Sequence, residues 1–592
     1  MTETSARSSS GDPDPTGASL DAPLSFLQEQ LWLIDAVERD QGLYNEIWVL
    51  ELDGEVDTAA LGAALNDTVA RHDALRMSFP TVDGEPRART APHLDLGPWD
   101  LLDFSHMADD DHAGLVASVA RELTDHPYDL EQGPLLRCSL LRFGPLRHTL
   151  LVGVHHIVSD GYSLKVLLQD LSRFYRGRVT GQAAGPAPAP ARYADFSREQ
   201  RRSEGGEEWK QALDYWRTQL SGAPPLLDLS MGRLRPARKN SDGARLRIDI
   251  PGDFGPGVNS LAHRSSGTRA SVLMAAFAAV LHRYTGRNDL MVGTAALGRS
   301  RPEFLDLIGY FATTLPLRFR PAGDMPFSEF LDQATDTLYD ALDHQALPFG
   351  KMIEELRPER DLSYGPVVQV MFSESESMDI ELLPGKLSAR SEKAPRSRSR
   401  FDLVFEVEVA PSGLTAWVEY DTALFTERRV HALGAHYARF LEGVLRDPDL
   451  PLSQVPMLAP HETGLGAGVG GRPVDIVLTS GERWPRPRCS AWSTATPPDR
   501  GKAGPHPFPG PSRRDGRSVT GPLRGRWSRP AASTGSPRCT GHGSPWTWSA
   551  PSSASTPTCA PATSRSSTAR TGGPGSRRAS SRRPRRGRGG PN

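Results

Sequence analysis

The sequence predicts a mixed α/β protein built as two lobes, and three observations carry that expectation. From residue 22 to about residue 455, apolar runs of period two alternate with amphipathic runs of period 3.6. A Pro-, Ala- and Gly-rich stretch, "GQAAGPAPAPA" at 181–191, interrupts the alternation and reads as a semi-rigid connector. Beyond about residue 465 the periodicity stops. The expected organisation is a disordered leader at 1–20, an N-terminal lobe at 21–180, the linker at 181–191, a second lobe at 192–455 and a low-complexity basic tail at 456–592.

The elements follow from local pattern. In "PLSFLQEQLWLIDAV", Ser25 and Gln28 have capping-box spacing at the start of an amphipathic helix. An extended "NEIWVLELDG" ends on an Asp-Gly turn, and "DTAALGAALNDTVARHDALRMSF" places Leu61, Leu65, Val69 and His72 on one helical face. "LLRCSLLRF" and "HTLLVGVHHIV", separated by "GPLR", read as an antiparallel hairpin, and the helix "SLKVLLQDLSRFYRG" leaves it.

Past the linker come helix "GEEWKQALDYWRTQL", strand "ARLRIDI", helix "TRASVLMAAFAAVLHRYTG" and strand "DLMVGTAAL". Extended "GYFATTLPLRF", helix "FSEFLDQATDTLYDALDH" and strands "VVQVMFSE", "FDLVFEVEV" and "LTAWVEYDT" follow, before the closing helix "TERRVHALGAHYARFLEGVL". Ligand sites tend to lie where two such lobes meet.

Composition narrows the function classes. No stretch reaches the roughly 18 apolar residues of a membrane span, and the polar, acidic start lacks the pattern of a signal peptide, so the expected location is the cytoplasm. The net charge of -2 hides an asymmetry: residues 461–592 hold 22 Lys and Arg against 5 Asp and Glu, leaving an acidic body. Cys138 is the body's single cysteine, which excludes a disulfide framework there.

The tail is almost devoid of Ile, Leu and Val and cannot bury enough apolar area to offset chain entropy. Its Arg-rich end could bind nucleic acid or an anionic surface. The favoured reading is GC-rich coding DNA read out of frame, because Arg, Pro, Gly, Ser, Thr, Cys and Trp rise together while Lys nearly vanishes. On that reading no nucleic-acid partner is expected.

Chemistry concentrates in "VGVHHIVSDGYS" at 152–163. Adjacent strand residues point to opposite faces, so His155 and His156 do not grip one metal ion unless the strand breaks, and no third ligand stands at a zinc spacing. One histidine should face the core and the other a cavity. Two satisfied buried histidines are the plain alternative. Against it stands Asp160-Gly161, a turn four residues on, where an imidazole can be held near solvent and move a proton near neutrality.

"HHIVSDG" at 155–161 matches the HHxxxDG motif of the condensation domains of nonribosomal peptide synthetases, and the chain resembles that family over roughly residues 22–455. Further family-like blocks occur in order: "LSFLQEQLWLID", "RHDALRMSF", "RYADF", "IGYFATTLPLR", "HQALPFGKMIEEL" and "RDLSYGPVVQVMF". The chain departs from the pattern at Gln30, where the family usually has Arg, and at Ala312-Thr313, where it usually has Val-Asn. The resemblance implies two chloramphenicol acetyltransferase-like lobes forming a V with a central tunnel, followed here by the disordered C-terminal tail.

The implied activity is acyl transfer that forms an amide. The amine of a carrier-bound aminoacyl group attacks a carrier-bound acyl or peptidyl thioester, each held on a phosphopantetheine arm. By the resemblance, His156 orients or deprotonates the amine, or stabilises the tetrahedral intermediate, and Gly161 supplies a backbone amide near the oxyanion. His155 is structural, Asp160 pairs with Arg299, and Arg71 and Arg76 are structural arginines. Ser163, Tyr310, Thr313 and Gln345 are expected along the tunnel. No tightly bound cofactor or metal is expected. The expected partners are donor and acceptor carrier proteins, with an adenylation domain either in trans or on a module lost beyond the point where the tail turns incoherent, because the sequence has neither a Pro-Lys-Gly adenylation loop nor a Gly-Gly-x-Ser attachment serine. A related acyltransferase acting on a free nucleophile and a non-catalytic carrier-docking module are the alternatives.

Overall fold

The computed structural model describes residues 19–37, 42–97, 100–182, 191–229, 233–460 and 462. The chain divides into two units, Met1–Ser493 and Thr494–Asn592. The second unit lies outside the described residues, as do nearly all of the expected leader, most of the linker and the tail beyond 462.

Two six-stranded sheets organise the first unit. One runs Asp379–Leu383, Leu387–Lys393, Asn45–Gly54, Arg147–His155, Leu136–Arg142, Asp100–Asp103. Its pairs are antiparallel except the last, which is parallel. The strand ending at His155 is buried along nearly its whole length because helices cover both faces. Helices Thr58–Arg71 and Gly161–Thr180 pack on one face against Leu50, Leu150, Val152 and Val154. Helix His112–Asp125 covers the other, against Ile47, Val49 and Leu151.

The second sheet runs Gly243–Ile250, Gly413–Asp421, Leu403–Ala410, Val370–Glu376, Leu290–Ala296, Thr313–Phe319. Helix Arg269–Thr285 lies at the centre of this lobe's core and is buried all round from Ser271 to His282. An all-apolar helix requires such enclosure. Thr268 and Ser271 form its capping box, and Gly286 ends it at φ 65°, the left-handed conformation that favours glycine.

The local expectations hold. Ser25 and Gln28 bond reciprocally, Gln28 N–H donating to Ser25 Oγ at 3.1 Å and Ser25 N–H to Gln28 Oε1 at 3.2 Å. Leu61, Leu65, Val69 and His72 are all buried, and the 136–142/147–155 hairpin is antiparallel.

The expected division of the chain at 181–191 needs correction. Periodicity alone does not predict the hairpin Asp379–Leu383/Leu387–Lys393, which joins the first sheet, Leu387 to Lys393 pairing with Gly54 to Trp48. Tyr193, Phe196, Phe304, Ile308 and Phe311 also pack into the first core. The polar alternation of "DIELL" and "LSARSEK" gives little hint of the pairing, which is set by a partner more than 330 residues away in sequence.

Candidate active site

The strand Arg147–His155 ends at the first histidine, and a 3-10 turn, His156–Val158, carries the second. The rings diverge. His155 is buried edge-on to Tyr128, and its Nδ1 accepts the Ile157 N–H at 3.1 Å. Burial, aided by the neighbouring His156, depresses its pKa to about 3 against the opposing pull of Glu46, so it stays neutral. His156 packs against Tyr310, ring centroids 4.8 Å apart, with 14 % of its side chain exposed.

The tautomer of His156 follows from its partner. Nδ1 lies 2.6 Å from the carbonyl oxygen of Ser159, which can only accept, so Nδ1 carries the hydrogen and Nε2 presents a lone pair. Burial and then the Arg400 guanidinium lower its pKa below 6.5, opposed by Glu46 and the Ser159 carbonyl. The imidazole is thereby neutral near pH 7, with a basic nitrogen available.

Asp160 caps helix Gly161–Thr180. Its Oδ1 accepts from Ser163 N at 3.0 Å and Ser163 Oγ at 2.8 Å, and Oδ2 accepts from the N–H of Phe311 at 3.1 Å and of Ala312 at 3.3 Å. Arg299 donates to both oxygens, at 2.8 and 3.0 Å. Arg299 is also packed between Tyr162 and Phe311, 4.6 and 4.3 Å from their ring centroids. The side chain of Asp160 is 1 % exposed and both its oxygens are engaged by Ser163, Arg299 and the 311–312 backbone, so it braces the turn.

Gly161 opens the helix, where backbone amides are unsatisfied within the helix and the dipole is positive. A Cβ added there would meet nothing within 4 Å, so its value is open space beside the helix end.

The other expected residues divide. Arg71 pairs with Asp170 at 2.9 Å, and Arg76 donates to the carbonyl oxygens of Val69, at 3.2 Å, and Ala91; both tie the first lobe together. Tyr310 touches His156. Thr313 is buried at the start of its strand, with Oγ1 accepting from Phe349 N at 3.3 Å.

Ser163 is corrected: it is fully buried and its hydroxyl is spent on Asp160 and on the Gly309 carbonyl, at 2.8 and 3.1 Å, so it belongs to the brace and not to a substrate channel. Gln345 is exposed past the end of helix Phe327–Asp343, donating to Leu342 O at 2.9 Å.

Sequence reasoning missed a charged cluster beside His156. Glu46 Oε1 lies 4.0 Å from Nε2 and pairs with Arg396 at 3.1 Å and Arg400 at 3.0 Å. Arg396 also pairs with Glu419 of the second sheet at 3.0 Å, joining the two lobes. Burial opposes ionisation of Glu46, but Arg396 and Arg400 hold its carboxyl well below the usual range. The available signals were an acid inside an apolar strand, "NEIWVLEL", and the arginines of "PRSRSR".

A condensation-domain family model matches residues 19–464. The chain is 37 % identical over 454 residues to phosphinothricin tripeptide synthetase PhsC of Streptomyces viridochromogenes, covering 76 % of this chain and 41 % of that protein. It is 33 % identical over 454 residues to malpinin synthetase of Mortierella alpina, covering 76 % of this chain and 6 % of that one. The chain thus spans less than half the length of these relatives. Among solved structures, the first condensation domain of the calcium-dependent antibiotic synthetase, in complex with a substrate analogue, has the same fold, with TM-score 0.66 and 22 % identity, covering 74 % of this chain and 99 % of that one. The X-domain from teicoplanin biosynthesis matches with TM-score 0.62 at 25 % identity, covering 74 % and 100 %. With three quarters of its length matched and its paired histidines set as described, the chain belongs to the condensation-domain family of nonribosomal peptide synthetases.

Proposed function

We propose that this chain forms an amide bond by acyl transfer between two carrier-bound substrates. The observation that carries the reading is the free Nε2 of His156, its tautomer held by the Ser159 carbonyl, one turn away from the N-terminus of helix Gly161–Thr180. The acceptor's amine approaches Nε2, which orients it and takes the proton released as nitrogen bonds to the thioester carbon. The carbonyl oxygen gains negative charge in that step, and the Gly161 amide is the donor placed to stabilise it. When the intermediate collapses, the C–S bond breaks and the proton leaves with the carrier thiolate as a thiol.

Asp160 and Arg299 hold the turn that aims both groups. Arg71 and Arg76 hold the first lobe. Donor and acceptor arrive on phosphopantetheine arms of carrier domains, loaded by an adenylation domain. The test is to incubate a donor-loaded carrier with an amine-loaded carrier, a free amine or a free alcohol. Amide transfer between carriers is expected. Product only with a free nucleophile, or carrier binding with no product, sinks the reading.

A further inference from the structure

The cluster at Glu46 places an acceptor oxygen where the attacking amine must sit. Glu46 faces Val154 across the strand ladder, and the 3-10 turn that follows the strand carries His156 Nε2 to 4.0 Å from its carboxylate. Oε1, the oxygen that faces Nε2, also carries the contacts to Arg396 and Arg400, and the side chain is 21 % exposed. Nδ1–H of His156 is committed to Ser159, so two acceptors, Nε2 and the carboxylate, face each other 4.0 Å apart. No hydrogen atom lies between them in this tautomer. A nitrogen about 2.9 Å from each would bridge that gap through two N–H donors.

We propose that Glu46 and Nε2 of His156 together hold the acceptor's amino group, and that Glu46, by accepting a second N–H, selects primary amines over N-alkylated amines and alcohols. The discrimination arises because a neutral secondary amine or a hydroxyl has a single hydrogen to give, leaving one buried acceptor unsatisfied. The charge of Glu46 is already matched by Arg396 and Arg400, so it meets the unprotonated amine, which is the nucleophile, as a hydrogen-bond acceptor and not as a counter-ion.

The inference rests on the amide-forming reading of His156, and its test has two arms. Transfer rates are measured for carrier-bound alanine, N-methylalanine and lactate against one donor-loaded carrier, with the native protein and Glu46→Gln. The neutral carboxamide is a weaker acceptor than the carboxylate at the position facing Nε2. The native protein is expected to favour alanine at least tenfold. The variant should lose alanine transfer about tenfold or more while the other two change less than about twofold. Equal loss for all three, or an unchanged alanine preference, overturns the inference.

The second arm needs no turnover: dissociation constants of the alanyl, N-methylalanyl and lactyl pantetheine amides are measured by calorimetry with the same proteins. Tighter binding of the alanyl form, abolished by Glu46→Gln, supports the role of Glu46 even if no amide is made. Failure to make amide in the native protein rejects the activity alone. If Glu46→Gln does not fold by circular dichroism, Glu46→Asp, which keeps the charge and retracts it by one methylene, takes its place with the same outcomes.

Discussion

Arg299 grips both carboxylate oxygens of Asp160, at 2.8 and 3.0 Å, with neither side chain more than 1 % exposed. The pair joins the N-cap of helix Gly161–Thr180 to the segment after strand Leu290–Ala296, residues 139 apart in sequence. Removing either partner strands a buried charge. Asp160→Ala and Arg299→Ala are each expected to cost about 3 to 5 kcal/mol of stability, with Asp160→Ala losing the helix cap as well. Urea unfolding checks this, and melts within about 1 kcal/mol of native contradict the bracing role.

His156→Ala should leave the fold intact and reduce amide formation to background. The ring is partly exposed and its strong hydrogen bond is to a turn carbonyl, so its loss leaves no buried charge behind. Native-like circular dichroism together with native transfer rates would falsify its catalytic assignment.

The pH dependence follows from the direction of its pKa. A general base works when neutral, and burial and Arg400 lower the His156 pKa below 6.5. The acid limb of the rate profile should therefore lie below pH 6.5, with the rate independent of this group at pH 7. An acid limb above neutrality is incompatible with the environment described.

His155 predicts a separate effect on stability. Its folded-state pKa of about 3 lies below the unfolded value, so the unfolded chain binds a proton first as pH falls. The stabilising contribution is complete above about pH 6.5 and drains away toward pH 3, at most about 1.4 kcal/mol per pH unit. His155→Asn should flatten that slope in urea melts between about pH 6.5 and 4.5. An unaltered slope shows that other groups dominate.

Gly161 separates fold from chemistry. A side chain at this position meets open space, so Gly161→Leu should fold normally and lose transfer by crowding the space beside the helix N-terminus. A loss of stability comparable to that of Asp160→Ala would show instead that the glycine serves the backbone.

Much of the site was legible in local pattern. Strand alternation through "VGVHH" predicts that the two rings part; they do, but because the strand ends at His155 and a 3-10 turn carries His156, which leaves His155 in the core and His156 beside Tyr310. Ser163 is ambiguous in sequence because a serine three residues past an Asp N-cap reads equally as a channel wall and as the second half of a capping box, and only burial distinguishes them.

The sequence by itself determined the periodic elements, their caps, the splitting of the histidine pair and the family resemblance. These rest on residue spacing along a single helix or strand. Tertiary structure decided that a hairpin from residues 379–393 completes the first sheet and that Glu46 stands beside His156, between Arg396 and Arg400. The physical reason is that charge pairing and strand register are settled by which distant segments are buried together, and spacing along the chain does not encode that distance.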